Sequence, residues 1–228
     1  MRFLVTNDDG IEAQGIEVLA KVARNFGDTI VLAPMEGSSG CGHQVTTHKP
    51  LRTFTKSEGL IGVEGWPVDC VRLGLKGFHL EVDWVLSGIN AGGNLGADVY
   101  ISGTVAAVRE AVLLGHRGIA FSHYKKREME FDWRRAELLT LNLLPLLVKR
   151  PCPPGTFWNV NLPHLEPGLP DPEIIFCSLD PHALPVSYRR EGNVFIYQGN
   201  YHQRLREDGT DVEVCMSGRI SVCQIRVY

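Results

Sequence analysis

Apolar and polar positions follow two periods along this chain, and the change from one to the other lays out strands and helices from the first residues. Phe3-Leu4-Val5 is a short apolar run that stops at Thr6-Asn7-Asp8-Asp9-Gly10, which predicts a buried strand ending in a polar turn. Ile16, Leu19, Ala20, Ala23 and Phe26 then recur at helical spacing, and Thr29 to Ala33 is a second apolar run closed by Pro34. Strand, helix and strand in this order predict a parallel, right-handed unit. Short alternating pieces at Val45 to Thr47, Leu51 to Thr55 and Ile61 to Val63 are expected as antiparallel strands on its flank.

Val68 to Leu75, opened by Pro67, reads as a short helix. Val82, Trp84, Val85 and Leu86 form the next core strand, which empties into the glycine-rich segment Ser87 to Gly96; a helix begins near Val105. Gly118 to Ser122 predicts another parallel strand, and a helix from about Asp132 to Lys149 completes an α/β body. From Pro151 onward prolines become dense and strands take over at Phe157 to Leu162, Glu173 to Cys177, Val194 to Tyr197 and Ser221 to Val227. These are expected as projecting hairpins, which bury little alone and suit contacts between subunits.

Composition narrows the classes. The chain has 228 residues, 44% of them hydrophobic, enough for a globular core. A formal net charge of -3 gives no overall attraction to a nucleic acid polymer or an anionic membrane, and the run Lys125-Lys126-Arg127 is expected as a solvated loop. The six cysteines are scattered with no Cys-x-x-Cys pair, so reduced thiols are expected, with a Cys215 to Cys223 disulfide across a hairpin as the alternative. Phe3 to Val5 is too short for a signal-peptide core, and Leu141 to Val148 is interrupted by Asn142 and Pro145, so a soluble, cytoplasmic protein is expected.

The candidate chemistry lies at the ends of the predicted strands. Asp8 and Asp9 converge on one cation only where the backbone leaves the extended form, which Gly10 permits. Asn-Asp-Asp-Gly is also an ordinary turn sequence, so partners must come from elsewhere. The hydroxyl-rich loop from Glu36 to His43 comes after the second strand and can reach the acidic pair. Asn90 and Asn94 offer amide oxygens to a hard cation and amide nitrogens to phosphate; in left-handed turns they would do neither. Ser102 or Thr104 can cap the next helix, whose first free amides and positive dipole end would bind an anion. Neither a Walker loop nor a Gly-x-Gly-x-x-Gly fingerprint is present.

Taken together, Thr6 to Gly10, Ala33-Pro34 with Ser39-Gly40, Ser87-Gly88-Ile89-Asn90 with Asn94-Leu95-Gly96, and Ser102-Gly103-Thr104-Val105 resemble the SurE family of survival-protein-E phosphatases. Gly65-x-Pro67-x-Asp69-Cys70, Asn159-Val160-Asn161-Leu162-Pro163, Thr210-Asp211 and Gly218-x-Ile220-Ser221-Val222 extend the resemblance over nearly the whole chain. It implies a single α/β domain over 1–228: a Rossmann-like, mostly parallel sheet flanked by helices over about 1–150, with β-hairpin extensions over about 151–228. It also implies a homodimer or homotetramer built through those hairpins. The activity implied is divalent-metal-dependent hydrolysis of nucleoside 5′- and 3′-monophosphates, and in some members of short polyphosphate. By motif, Asp8, Asp9, Ser39 and Asn90 would be the metal ligands; Asn94, Ser102, Gly103 and Thr104 would line the phosphate pocket, with Asn7 beside the metal. Ala97, Met35-Glu36 and the order Tyr100-Ile101 depart from the usual pattern without removing a proposed ligand.

All-oxygen ligands suit one magnesium or manganese ion per subunit, with calcium compatible in a crystal. Attack on phosphorus by a metal-polarised water is the expected mechanism. Asp8 as general base is the alternative, while a covalent aspartyl-phosphate is disfavoured because the carboxylates are adjacent and not in the alternating Asp-x-Asp pattern of phosphatases that form one; His43 is the candidate acid for the leaving group. Two alternatives stand beside this reading: a hydrolase of another phosphoester, and a nucleotide-binding regulator without turnover.

Overall fold

The computed structural model describes residues 1–126 and 129–228, so Arg127 of the basic run lies outside the described residues. Strand β1 (Arg2–Thr6) leads into helix α1 (Gln14–Arg24), which returns to β2 (Asp28–Pro34), parallel to β1 as predicted. Phe26 falls just beyond the end of α1. Strands β3 (Thr53–Ser57) and β4 (Leu60–Val63) pair antiparallel, but β4 runs parallel to β2 and so extends the main sheet. Val45 to Thr47 forms no strand; Asp69 claims Thr46 instead, accepting from its backbone N–H at 2.9 Å and its hydroxyl at 2.8 Å.

Helix α2 (Pro67–Arg72) passes into a wider turn over Leu73–Gly77 and leads to β5 (Trp84–Asn90), which pairs on the other side of β1. A 3-10 turn at Gly96–Tyr100 precedes α3 (Gly103–Leu113), β6 (Arg117–His123) and α4 (Trp133–Lys149). The remaining elements are β7 (Thr156–Leu162), β8 (Ile174–Phe176), β9 (Tyr188–Glu191), β10 (Val194–Tyr197), α5 (Asp211–Met216) and β11 (Ile220–Arg226).

The described residues form a nine-stranded sheet in the order β3-β4-β2-β1-β5-β6-β7-β11-β8. The chain therefore leaves β1 toward β2 on one side and resumes at β5 on the other, and the crevice at the carboxyl ends of β1 and β5 is where such sheets hold ligands. Alternation along β1 explains its depth in the fold. Phe3 and Val5 join the apolar cluster under α1 and α4, while Leu4 joins the cluster with Cys70, Val71, Ala107 and Ala111 of α2 and α3. Both faces are covered, as a central parallel strand requires.

The second half bears out one of the expected hairpins and corrects the others. β7, β11 and β8 are strands of the main sheet, and β9 with β10 forms a separate two-stranded hairpin with Val194, Phe195 and Tyr197 exposed. Cys215 and Cys223 are not partners. Cys223 lies 3.7 Å from Cys177 across β11 and β8, Cys215 faces Asn161 O, and all six cysteines are free thiols. No described helix is long and apolar enough to cross a membrane.

One buried histidine makes stability depend on pH. His123, 4% exposed at the end of β6, bonds through Nδ1 to Tyr124 O at 2.9 Å and packs edge-on against Phe131 and Trp133. Burial, followed by the nearby His164, outweighs that hydrogen bond and Asp132 and pushes the imidazole down to about 4. The unfolded chain then takes up this proton first as pH falls. The stability tied to neutral His123 is full above about pH 6.5 and lost progressively toward pH 4, on the order of 3 kcal/mol. Urea unfolding across this range is expected to show a flatter pH profile in His123→Gln than in the parent; equal slopes would contradict the assignment.

Candidate active site

β1 ends at Thr6, and Asn7 turns the chain by donating from Nδ2 to Gly10 O at 2.8 Å. Gly10 holds φ at +99°, and a first side-chain carbon there would lie 3.2 Å from both the Glu36 carbonyl carbon and the Gly37 nitrogen. Only glycine meets both conditions without strain. Ser38 N–H donates to Asp8 O at 2.7 Å, so the loop after β2 is tied to the acidic turn and Ser39 arrives beside it.

Asp8 is almost fully buried and accepts a hydrogen bond on Oδ1 from the Thr104 hydroxyl. Burial pushes its carboxyl up to about 6; the Thr104 bond opposes the rise and the charge of Asp9 adds to it. Asp9 accepts from Ala91 N–H at 3.0 Å, yet burial raises its pKa as well. Two adjacent carboxylates that both lose hydration on folding are held where a cation would relieve them.

Ser102 caps α3, its Oγ accepting from Val105 N–H at 3.1 Å. Thr104, the alternative cap, turns its hydroxyl to Asp8. Gly103 lets the start of this 11-residue helix approach the acidic turn: a first side-chain carbon would sit 2.9 Å from Asp8 Cβ and Oδ2 and 2.6 Å from Cys41 Sγ. The positive end of the helix is thus brought against the Asp8 carboxylate. Asn90 closes the group from the end of β5, with Nδ2 donating to Gly92 O at 2.8 Å, which leaves Oδ1 as the atom it can offer.

Asp8, Asp9, Ser39, Asn90, Asn94 and Ser102 line one cavity of about 240 Å3. Among the described residues no three His, Cys, Asp or Glu side chains gather as metal ligands; the neutral oxygens of Ser39 and Asn90 line the cavity beside the two carboxylates. Asn7 Oδ1 is a further oxygen at the acidic turn, buried without a partner.

His43 is not brought into this group. Its Nε2 lies 2.9 Å from Glu110 Oε2 and its Nδ1 lies 3.5 Å from an Arg109 nitrogen. Burial works against the Glu110 anion, but Arg72, bonded at 2.6 Å, and His43 together hold its pKa below the usual range. As placed, His43 joins the loop after β2 to the flank of α3 and has no nitrogen open toward the cavity.

Several supports carried no local signal in the sequence. Asn94 is clamped by β7: its N–H donates to Asn161 Oδ1 at 2.7 Å, and its carbonyl accepts from Asn159 and Asn161 at 2.9 and 3.1 Å. Asn94 Nδ2 reaches Ser122 Oγ at 2.7 Å. Asp98 accepts from Leu95 N–H, Tyr201 OH and Arg204, and Asp211 accepts from Gly96 N–H at 2.7 Å and Asp180 N–H at 2.8 Å. The C-terminal segment therefore fastens the glycine-rich loop that carries Asn90 and Asn94. Alternating Asn159 and Asn161 on an otherwise apolar strand and the Thr210-Asp211 motif were the visible hints.

The same arrangement of elements recurs in a solved structure. The crystal structure of a SurE protein from Aquifex aeolicus superposes with a TM-score of 0.86 at 28% identity, covering 100% of this chain and 94% of that one. A family model described as Survival protein SurE matches residues 3–178. The chain belongs to the SurE family. A Nostoc sp. relative is 50% identical over the full length of both chains. A Chelativorans sp. relative named 5′-nucleotidase SurE is 38% identical over 100% of this chain and 94% of its own. The SurE motifs that carried the resemblance in sequence, at Asp8-Asp9, Ser39, Asn90, Asn94 and Ser102-Gly103-Thr104, meet at one strand-end crevice.

Proposed function

We propose that this protein is a divalent-metal-dependent phosphomonoesterase that releases phosphate from nucleoside 5′- and 3′-monophosphates. The observation that carries the reading is the placement of buried Asp8, with half-buried Asp9 next to it, directly against the N-terminus of α3. A dianionic phosphate would be repelled by Asp8 and Asp9 alone, and drawn in by helix amides alone without being activated. Together they describe a site for an anion and a cation side by side.

The residues present fit such a cation: Asp8, Asp9, Asn90 Oδ1 and Ser39 Oγ supply oxygen ligands of the kind magnesium and manganese prefer. When bound, the ion supplies charge neutralisation and a water of lowered pKa. The chain's own contributions are separate. Thr104 fixes one oxygen of Asp8 through its hydroxyl, so the carboxylate cannot rotate away. Ser102 and the free first amides of α3 receive phosphate oxygens, where they favour charge that grows as the ester bond breaks. Asn94, held by Ser122, Asn159 and Asn161, lines the same cavity in a fixed position.

Family membership and the name of the Chelativorans relative support a nucleotidase over a binding regulator. Purified protein with manganese and a panel of nucleoside 5′- and 3′-monophosphates, glycerol phosphate and short polyphosphate is expected to release phosphate fastest from nucleotides, and to stop with a chelator. Nucleotide binding without release would favour the regulator, and activity untouched by the chelator would remove the metal.

A further inference from the structure

A second, larger cavity of about 560 Å3 opens beside the one that holds the carboxylates. The segments leaving the carboxyl ends of β2 and β4, Met35 to Ser38 and Glu64 to Trp66, form it, with Phe54 of β3 and Lys49 closing the sides. Ser38 lines this cavity and Ser39 the other, so consecutive residues of one loop separate the two. Because the sheet order is β4-β2-β1-β5, both cavities lie along the same carboxyl edge.

The cavity is built rather than incidental. Asp69, 1% exposed, accepts from Trp66 N–H at 3.0 Å and from both the backbone and the hydroxyl of Thr46, which ties two of its walls to one carboxylate. Met35 N–H donates to Val63 O at 2.9 Å and fixes the floor. Phe54 is 41% exposed, a large apolar ring left in water at the rim. Two aromatic rings with an ammonium and two carboxylates around them form the setting in which a flat heteroaromatic ring stacks and has its polar edge read.

We propose that this cavity receives the base of the nucleoside monophosphate, with Phe54 and Trp66 as the stacking surfaces and Lys49 and Glu36 at the base edge, beside Glu64, whose carboxylate lies 4.0 Å from Arg52. The proposal rests on the nucleotidase reading for its phosphate end. A substrate lying along the carboxyl edge would place phosphate over β1 and β5 and base over β2 and β4, the direction in which open α/β sheets hold nucleotides.

The test uses the full chain and two probes. Adenosine, which carries no phosphate, is titrated into metal-free protein by calorimetry, and kcat/KM is measured for adenosine monophosphate and for glycerol phosphate, which has no base. Phe54→Ala, on an exposed edge strand, and Trp66→Ala are each expected to weaken adenosine binding and to lower the nucleotide-to-glycerol-phosphate ratio of kcat/KM by about fivefold or more. Trp66→Phe, which keeps a ring, is expected to restore most of both. Should Trp66→Ala fail to fold, Phe54→Ala decides alone. An unchanged ratio in the folded variants overturns the assignment. If no phosphoester is hydrolysed, adenosine binding decides: weakening by Phe54→Ala leaves the pocket standing while the phosphatase reading falls, and no weakening removes both.

Discussion

Asp8→Asn is expected to lower phosphate release from nucleotides by about two orders of magnitude or more while leaving the fold intact. The substitution keeps the shape of the side chain and an oxygen for the Thr104 hydroxyl, so what it removes is charge. That charge is costly to the metal-free protein, since burial lifts the Asp8 carboxyl to about 6 and its anion at neutral pH is poorly compensated. The sign for stability is therefore opposite to the sign for activity. Above about pH 6, metal-free Asp8→Asn should melt at or above the temperature of the metal-free parent. Manganese should raise the melting temperature of the parent and have little effect on the variant, because only the parent gains from binding in the folded state. Calorimetric melts with and without manganese, beside a phosphate assay, give all three readings. Undiminished turnover in metal-replete Asp8→Asn would take Asp8 out of the chemistry.

Gly103→Ala is expected to be nearly as damaging, by a route that removes no functional group. The added methyl would lie 2.9 Å from Asp8 Cβ and Oδ2 and 2.6 Å from Cys41 Sγ, all closer than carbon contacts allow. Either the helix start or the acidic turn must retreat, and a displacement of this kind costs about a hundredfold where reacting groups are held in register. Alanine is a better helix former than glycine, so α3 itself should persist. The expected pattern is a fall in turnover with a normal circular dichroism spectrum and weakened manganese affinity. Wild-type turnover in Gly103→Ala would mean that the close approach of α3 to Asp8 has no part in activity.

The sequence showed these two features unequally. Asp8 and Asp9 were legible because a strand-end turn with paired carboxylates is a local pattern. Gly103 was legible only as one glycine near a helix start, and its reason, the approach of Asp8 from a distant part of the chain, exists only in the fold. The same division runs through the whole molecule. β1, α1, β2, α3, β6 and α4 arise from short-range periodicity. β11 sits between β7 and β8, a long-range pairing that leaves no mark on any single segment, so strands of the main sheet read as separate hairpins. His43 misled for a related reason: closeness to Ser39 in the chain says nothing about Glu110 and Arg109, which hold its ring on the flank of α3. Asp98, Asp211 and Arg204 were invisible as a group because the fastening of the glycine-rich loop draws on residues more than 100 positions apart.

The central claim is that one divalent cation sits between Asp8, Asp9, Ser39 and Asn90 beside the start of α3. Anomalous diffraction from crystals soaked in manganese and phosphate tests it most directly. The account predicts one strong manganese peak per chain within bonding distance of oxygens from Asp8, Asp9 and Asn90, with phosphate against Ser102 and the first amides of α3. A catalytically active crystal whose manganese lies elsewhere, or whose phosphate lies away from α3, would contradict it.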